Sequence, residues 1–128
     1  MYKEIDIQVR FNDLDGYSHV NNSVYLSYME VARTKCYADI FNDSIESGIW
    51  FLLVSAEVQY KRFIKLDDRV IVKLHISQAK GATFSFEYEI HNGDGIVFAT
   101  GKTTHAVFDS KKQKPMRIPE NIKALAVL

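Results

Sequence analysis

Apolar and polar residues alternate from residue 3 to residue 11, with Ile5, Ile7 and Val9 on one side and Asp6, Gln8 and Arg10 on the other. A period of two predicts a half-buried strand. Residues 12–22 lose the alternation and are rich in Asn, Asp, Gly and Ser, the composition of a loop. Asn21 or Asn22 then stands where a helix cap belongs. Tyr25, Tyr28 or Met29, Ala32, Cys36 and Ile40 recur at helical spacing and carry the helix to about residue 41. Val24, Leu26 and Val31 widen the stripe, so enclosure on more than one side is expected.

Asn42 to Gly48 reads as a polar break. Four extended segments follow it: 50–63 with Leu52, Val54, Ala56, Val58 and Tyr60 in phase, then 70–78, 83–91 and 96–109. Asn92-Gly93-Asp94-Gly95 predicts a hairpin loop, because Gly and Asn accept positive φ. Lys80-Gly81-Ala82 predicts a second tight connection, and Pro119 the start of a short terminal helix over 120–126. The order is β-α-β-β-β-β, an α+β class in which one long helix and an antiparallel sheet bury their apolar faces together. At 128 residues the chain is a single domain over 1–128.

Composition narrows the function classes. Sixteen basic and sixteen acidic residues cancel, so net charge supplies no argument for nucleic acid. No apolar run approaches the ~18–20 residues of a membrane span, and Met-Tyr-Lys-Glu-Ile-Asp contains no apolar signal region. Membrane insertion is not expected, and the cytoplasm is the default compartment. Cys36 is the one cysteine, which rules out an intrachain disulfide. The four histidines, at 19, 75, 91 and 105, lack zinc-ligand spacing. No Gly-x-Ser-x-Gly elbow supports serine-hydrolase chemistry, and Gly93-x-Gly95 precedes no helix.

The chemistry concentrates in residues 10–33, where a loop with two acids, a histidine and two asparagines runs into the helix. A carboxylate ahead of a helix start can attack or take a proton, while unpaired N–H groups hold developing negative charge. An Asx-turn or a remote capping acid is the blander account of Asp15. Asp13 is expected to shape the loop.

The pattern Asp13-x-Asp15, His19-Val20-Asn21-Asn22, Tyr25 and Glu30-x-Ala32-Arg33 resembles the signature of hotdog-fold acyl-CoA thioesterases. The branch is that of 4-hydroxybenzoyl-CoA thioesterase and its bacterial relatives. The likeness continues weakly to Lys114-Pro115-x-x-Ile118-Pro119. It implies a hotdog fold, a five-stranded antiparallel sheet wrapped around the long helix. It implies hydrolysis of an acyl-CoA to a free acid and coenzyme A, with no cofactor or metal. Gly16-Tyr17-Ser18 after Asp15 replaces a Pro-Ala-Gly type turn, which leans toward fatty-acyl rather than aromatic substrates.

By the same resemblance Asp15 is the catalytic carboxylate and the Asn22 backbone N–H forms the oxyanion hole. His19 is a further catalytic candidate, and Asn21 and Tyr25 candidates for contact with the acyl group. Tyr28 and Met29 read as core or pocket lining and Cys36 as a buried small hydrophobe. Glu30 is a second carboxylate by analogy with other hotdog branches, or, more blandly, an ion-pair partner of Arg33 or of neighbours beside Thr34. Lys61, Arg62 and Lys65 form one basic group, and Lys111, Lys112, Lys114 and Arg117 another. Either is a solvated strand end or a contact for the nucleotide phosphates of coenzyme A. A homodimer or homotetramer is expected, with the substrate between subunits. The rival readings are an acyl-carrier-protein thioesterase and a non-catalytic acyl-CoA-binding domain.

Overall fold

The computed structural model describes residues 2–126. Met1 and the last two residues of the domain expected over 1–128 lie outside the described residues. Strand β1 spans Lys3–Ile7, helix α1 Val24–Cys36, helix α2 Ala38–Glu46 and strand β2 Ile49–Tyr60. Strands β3, β4 and β5 span Val70–Lys80, Thr83–His91 and Val97–Asp109. A two-residue strand, β6, covers Lys114–Pro115, and a short helix, α3, Glu120–Lys123.

The five main strands are antiparallel in the order β1-β3-β4-β5-β2, and β6 extends the far end of β5. Val72, Leu74 and Ile76 of β3, Phe84, Phe86, Tyr88 and Ile90 of β4, and Ala99 and Val107 of β5 turn inward. Tyr25, Tyr28, Met29 and Ala32 of α1 meet them in one core. This is the hotdog arrangement. Burying such side chains is worth ~1.5–3 kcal/mol each, enough to set the register of every inner strand.

The long helix expected to residue 41 is two helices. Tyr37 breaks it at φ −119°, ψ 35°. Lys3 Nζ donates to the Cys36 carbonyl at 2.9 Å and lies over the Tyr37 ring at 4.6 Å. Tyr37 is buried edge-on to Phe86, with ring centroids 5.2 Å apart. That tertiary grip takes Cys36 O, and the chain restarts as α2. The polar break shrinks to Ser47 and Gly48, the latter at φ +74°. Strand one is shorter than its alternation and the terminal helix ends at Lys123; hairpins form at Gly81 and at Gly93 to Gly95 as expected.

Three expectations of burial fail. Leu26 and Val31 on α1 are 37% exposed, so only one side of that helix is enclosed. The in-phase Leu52 and Val54 are also exposed, as is Leu53 between them, since β2 is an edge strand with a bulge between Leu53 and Ser55. Cys36 is half-buried rather than core.

Glu30 stays exposed and makes no ion pair with Arg33 among the described residues. Buried Arg33 instead donates to Tyr88 Oη at 3.4 Å. The Tyr88 and Thr103 hydroxyls are 2.5 Å apart, and Thr103 Oγ1 lies 3.0 Å from His105 Nε2. Burial, aided by the Arg33 charge, pushes His105 down to about 4. A hydrogen-bonded chain thus keeps these polar groups inside an apolar core.

Candidate active site

The loop between β1 and α1 is tied down at each step. Asp13 Oδ2 accepts the Arg10 N–H at 2.9 Å and the Tyr28 hydroxyl at 2.8 Å, so Asp13 fastens the loop to α1 as expected. Leu14 and Val20 pair across the loop, and the Asp15 N–H donates to His19 O at 2.8 Å. Ser18 closes the turn at φ +64°. Val20 N–H donates to Ile64 O at 2.8 Å, and Ile64 is fully buried. This anchor brings the β2–β3 connection against the loop.

Asp15 Oδ1 accepts the Tyr17 N–H at 2.8 Å and the His19 N–H at 3.4 Å. The Asx-turn therefore exists, and it orients the group. Oδ2 has no hydrogen-bond partner among the described residues. The carboxylate is half-buried, with one oxygen fixed and one available.

Asn21 does not cap α1 directly. Its Oδ1 accepts the Ser23 N–H at 3.0 Å and the Ser23 hydroxyl at 2.9 Å, and its carbonyl accepts the Val24 N–H at 2.9 Å. This turn delays the helix to Val24 and engages the side-chain and backbone oxygens of Asn21. The Asn22 N–H points to no acceptor among the described residues, as an oxyanion donor requires. The Asn22 carbonyl accepts the Tyr60 hydroxyl at 2.8 Å.

A recess of about 310 Å³ opens beside this helix start, lined by Asn22, Tyr25, Tyr60, Lys61, Arg62 and Phe63. Tyr25 is buried, stands edge-on to Tyr60 at 4.9 Å, and donates to Arg62 O at 3.4 Å. Burial raises the Tyr25 hydroxyl above its ordinary value, the Ile64 backbone N–H opposes this, and the charges of Tyr60 and Asp15 add to it. Asp15 and Asn22 thus flank one tyrosine. The His19 ring stacks on Phe63, with centroids 4.2 Å apart and planes 7° from parallel. Stacking holds the His19 ring on Phe63, and among the described residues no hydrogen bond joins its ring nitrogens to the Asp15 carboxylate.

Of the basic candidates, Lys61 and Arg62 border the recess and Lys65 does not; its N–H is turned into a tight turn with Asp68. The 111–117 group lies at the other end of the sheet, since Ile49 pairs with Asp109 and Tyr60 with Ala99. At ~3.3 Å per residue these ends are about 35 Å apart in one chain. Tyr60 and Phe63 are the site residues that sequence reasoning missed. Tyr60 reads as an ordinary in-phase strand position, and Phe63 as the end of the expected segment.

A larger groove, about 480 Å³, crosses the outer face of the sheet and is lined by Glu57, Lys73, His75, Glu87, Glu89 and Lys102 among others. Opposite charges face one another across its strands, as in Lys73–Glu89 and Glu87–Lys102. That is a self-paired solvated face rather than a reaction cleft. No cluster of three or more potential metal ligands occurs among the described residues, and no described helix is long and apolar enough to cross a membrane.

Comparison with known proteins bears on the fold and the family. The chain is 28% identical to the acyl-CoA thioesterase YbgC of Haemophilus influenzae over 92% of this chain and 89% of that protein. It is 28% identical to the long-chain acyl-CoA thioesterase FadM of Escherichia coli over 94% and 93%. The crystal structure of YbaW, a probable thioesterase from Escherichia coli, superposes with a TM-score of 0.84 at 28% identity, over 97% of this chain and 94% of that one. The sequence profile of the Thioesterase-like superfamily matches residues 9–125, nearly the whole domain, and this chain belongs to that superfamily.

Proposed function

We infer that this protein is an acyl-CoA thioesterase, hydrolysing an acyl-CoA to a carboxylic acid and coenzyme A. Its superfamily and the named activities of YbgC and FadM support the reaction class. One observation carries the site: Asp15 offers an uncommitted carboxylate oxygen on the loop that ends at an unpaired Asn22 N–H.

The thioester carbonyl oxygen accepts the Asn22 N–H. Asp15 Oδ2 then attacks the carbonyl carbon to give a mixed anhydride that water cleaves, or takes a proton from an attacking water. Either way negative charge moves onto the carbonyl oxygen and the C–S bond breaks. The thiolate leaves and is protonated. The α1 N-terminus favours the transition state over the substrate, because the charge it stabilises is absent beforehand. Lys61 and Arg62 hold the phosphates at the mouth, with Lys65 further out, and His19, Asn21 and Tyr25 shape the acyl end.

The active form is a homodimer or homotetramer. β2 leaves one backbone edge unpaired and α1 exposes Leu26 and Val31, surfaces that a second copy would cover. The compartment we propose is the cytoplasm, where the thiol of Cys36 stays reduced.

The test is Asp15→Asn, which nearly preserves size and removes the charge. Activity falls about 10²–10⁴-fold, mostly in kcat, with the fold retained. Asp13→Asn costs less activity, and its loss accompanies a lowered melting temperature because it weakens the Arg10 and Tyr28 bonds. Folded Asp15→Asn turning over within a few-fold of the parent rejects the mechanism. Assay against the matching acyl-carrier-protein thioester separates the two carriers, and binding without turnover marks a non-catalytic domain.

A further inference from the structure

We propose that Tyr60 is a positioning residue for hydrolysis: its hydroxyl fixes the Asn22 peptide so that the Asn22 N–H faces the thioester oxygen. The proposal rests on the role given to that N–H above.

Asn22 sits between two peptide planes, and each is gripped differently. The plane before it carries the Asn22 N–H, and its carbonyl, from Asn21, accepts the Val24 N–H. The plane after it carries the Asn22 carbonyl, and its N–H, from Ser23, is held by Asn21 Oδ1. The local bonds thus involve only residues 21–24. The Asn22 carbonyl lies ahead of α1 and outside its ladder, and its partner is Tyr60 Oη at 2.8 Å, 38 residues along the chain.

Tyr60 is a rigid donor for this purpose. It ends β2, where its backbone pairs with Ala99 of β5. Its ring is braced edge-on by buried Tyr25. Next along the chain, the Lys61 and Arg62 N–H groups both donate to Phe98 O, at 2.8 and 3.0 Å. The sheet therefore sets the position of the Tyr60 hydroxyl, and the hydroxyl transmits it to a turn that has no other tertiary bond at Asn22 among the described residues. Oxyanion donors act through orientation fixed before the reaction, so a tie that removes rotational freedom from Asn22 acts on the transition state.

The experiment compares the parent with Tyr60→Phe, which keeps the ring and deletes the hydroxyl. The expected result is a kcat lower by about five- to twentyfold, a fraction of the ~10²–10³ that loss of a whole donor costs. KM stays within about twofold and the melting temperature is nearly unchanged. Tyr60→4-aminophenylalanine, which restores a donor on the same ring, recovers most of the rate. A KM effect without a kcat effect means that Tyr60 touches substrate rather than Asn22, and overturns the proposal. So does a rate loss that the amino analogue leaves unrepaired.

A backbone variant separates this proposal from its premise. Replacing Asn22 by its α-hydroxy acid exchanges that one N–H for an ester oxygen. If this leaves kcat unchanged, the oxyanion role of Asn22 falls and the Tyr60 proposal falls with it. If it lowers kcat while Tyr60→Phe does not, the Tyr60 proposal alone is wrong. If both lower kcat, Tyr60→Phe should have little further effect in the ester background, because the group it positions is gone.

Discussion

Met29 of α1 packs against Gly101 of β5, where the missing Cβ leaves room for the methionine side chain. A Cβ on Gly101 would stand 2.9 Å from Met29 Sδ and 3.0 Å from the Glu57 carbonyl oxygen. The thioether can swing aside, but the β2 backbone cannot. Gly101→Ala should therefore lower stability by about 1–3 kcal/mol, the cost of overpacking a filled core. Urea unfolding of the parent and the variant checks this. Paired with Met29→Ala, the alanine should cost less, because the methionine half of the clash is then absent.

Lys61 and Arg62 border the recess, whereas Lys65 stands outside its lining. Phosphate contacts remote from the thioester hold ground and transition states alike, so their loss raises KM and spares kcat. Lys61→Ala and Arg62→Ala should each raise KM for an acyl-CoA several-fold, and Lys65→Ala less. The matching acyl-pantetheine, which lacks the nucleotide, should respond to none of them. Equal losses on both substrates would show that these cations do not meet the nucleotide.

The free edge of β2 supports a prediction about assembly. Leu53 and Val54 are 52% and 59% exposed on a strand whose backbone is paired on one side only. Parent protein in its active state should have at least twice the chain mass by light scattering. Leu53→Lys places a charge on the edge, where it opposes strand pairing without disturbing the buried core. Both the mass and the activity should fall together. An active monomer would show the site to be complete in one chain.

His105 should make stability depend on acid. The folded protein holds its imidazole neutral down to about 4, through burial first and the Arg33 charge second. The unfolded chain takes up that proton near 6.5. Between these values the unfolded state binds more protons, so stability rises with pH there. It is complete above about 6.5, declines as pH falls through that value, and levels off below about 4. The loss amounts to about 3 kcal/mol at most. Urea midpoints from pH 7.5 to 4.5 measure the slope, and His105→Gln should flatten it by that share. His75, also lowered by burial, leaves a residual slope in the variant.

Periodicity determined much of this protein. Alternation placed β1, β3, β4 and β5, helical spacing placed α1 on its apolar face, and the glycine turns at Lys80-Gly81 and Asn92-Gly93 closed the hairpins, because each pattern is written in neighbouring residues. The loop with Asp15 and Asn22 was legible for the same reason, as a run of acids and amides ahead of a helix, together with its family resemblance. Other features arose only when distant segments met. Lys3 drew off the Cys36 carbonyl and split the helix at Tyr37. Ile64 docked the β2–β3 connection on the loop, which set Phe63 on His19 and Tyr60 on Asn22 while leaving Lys65 apart. Strand order made β2 an edge and exposed side chains whose alternation had suggested burial. A hydrogen bond such as that of Tyr60 to Asn22 spans 38 residues. It depends on where the fold places a hydroxyl, and the residue types around either end carry no trace of it.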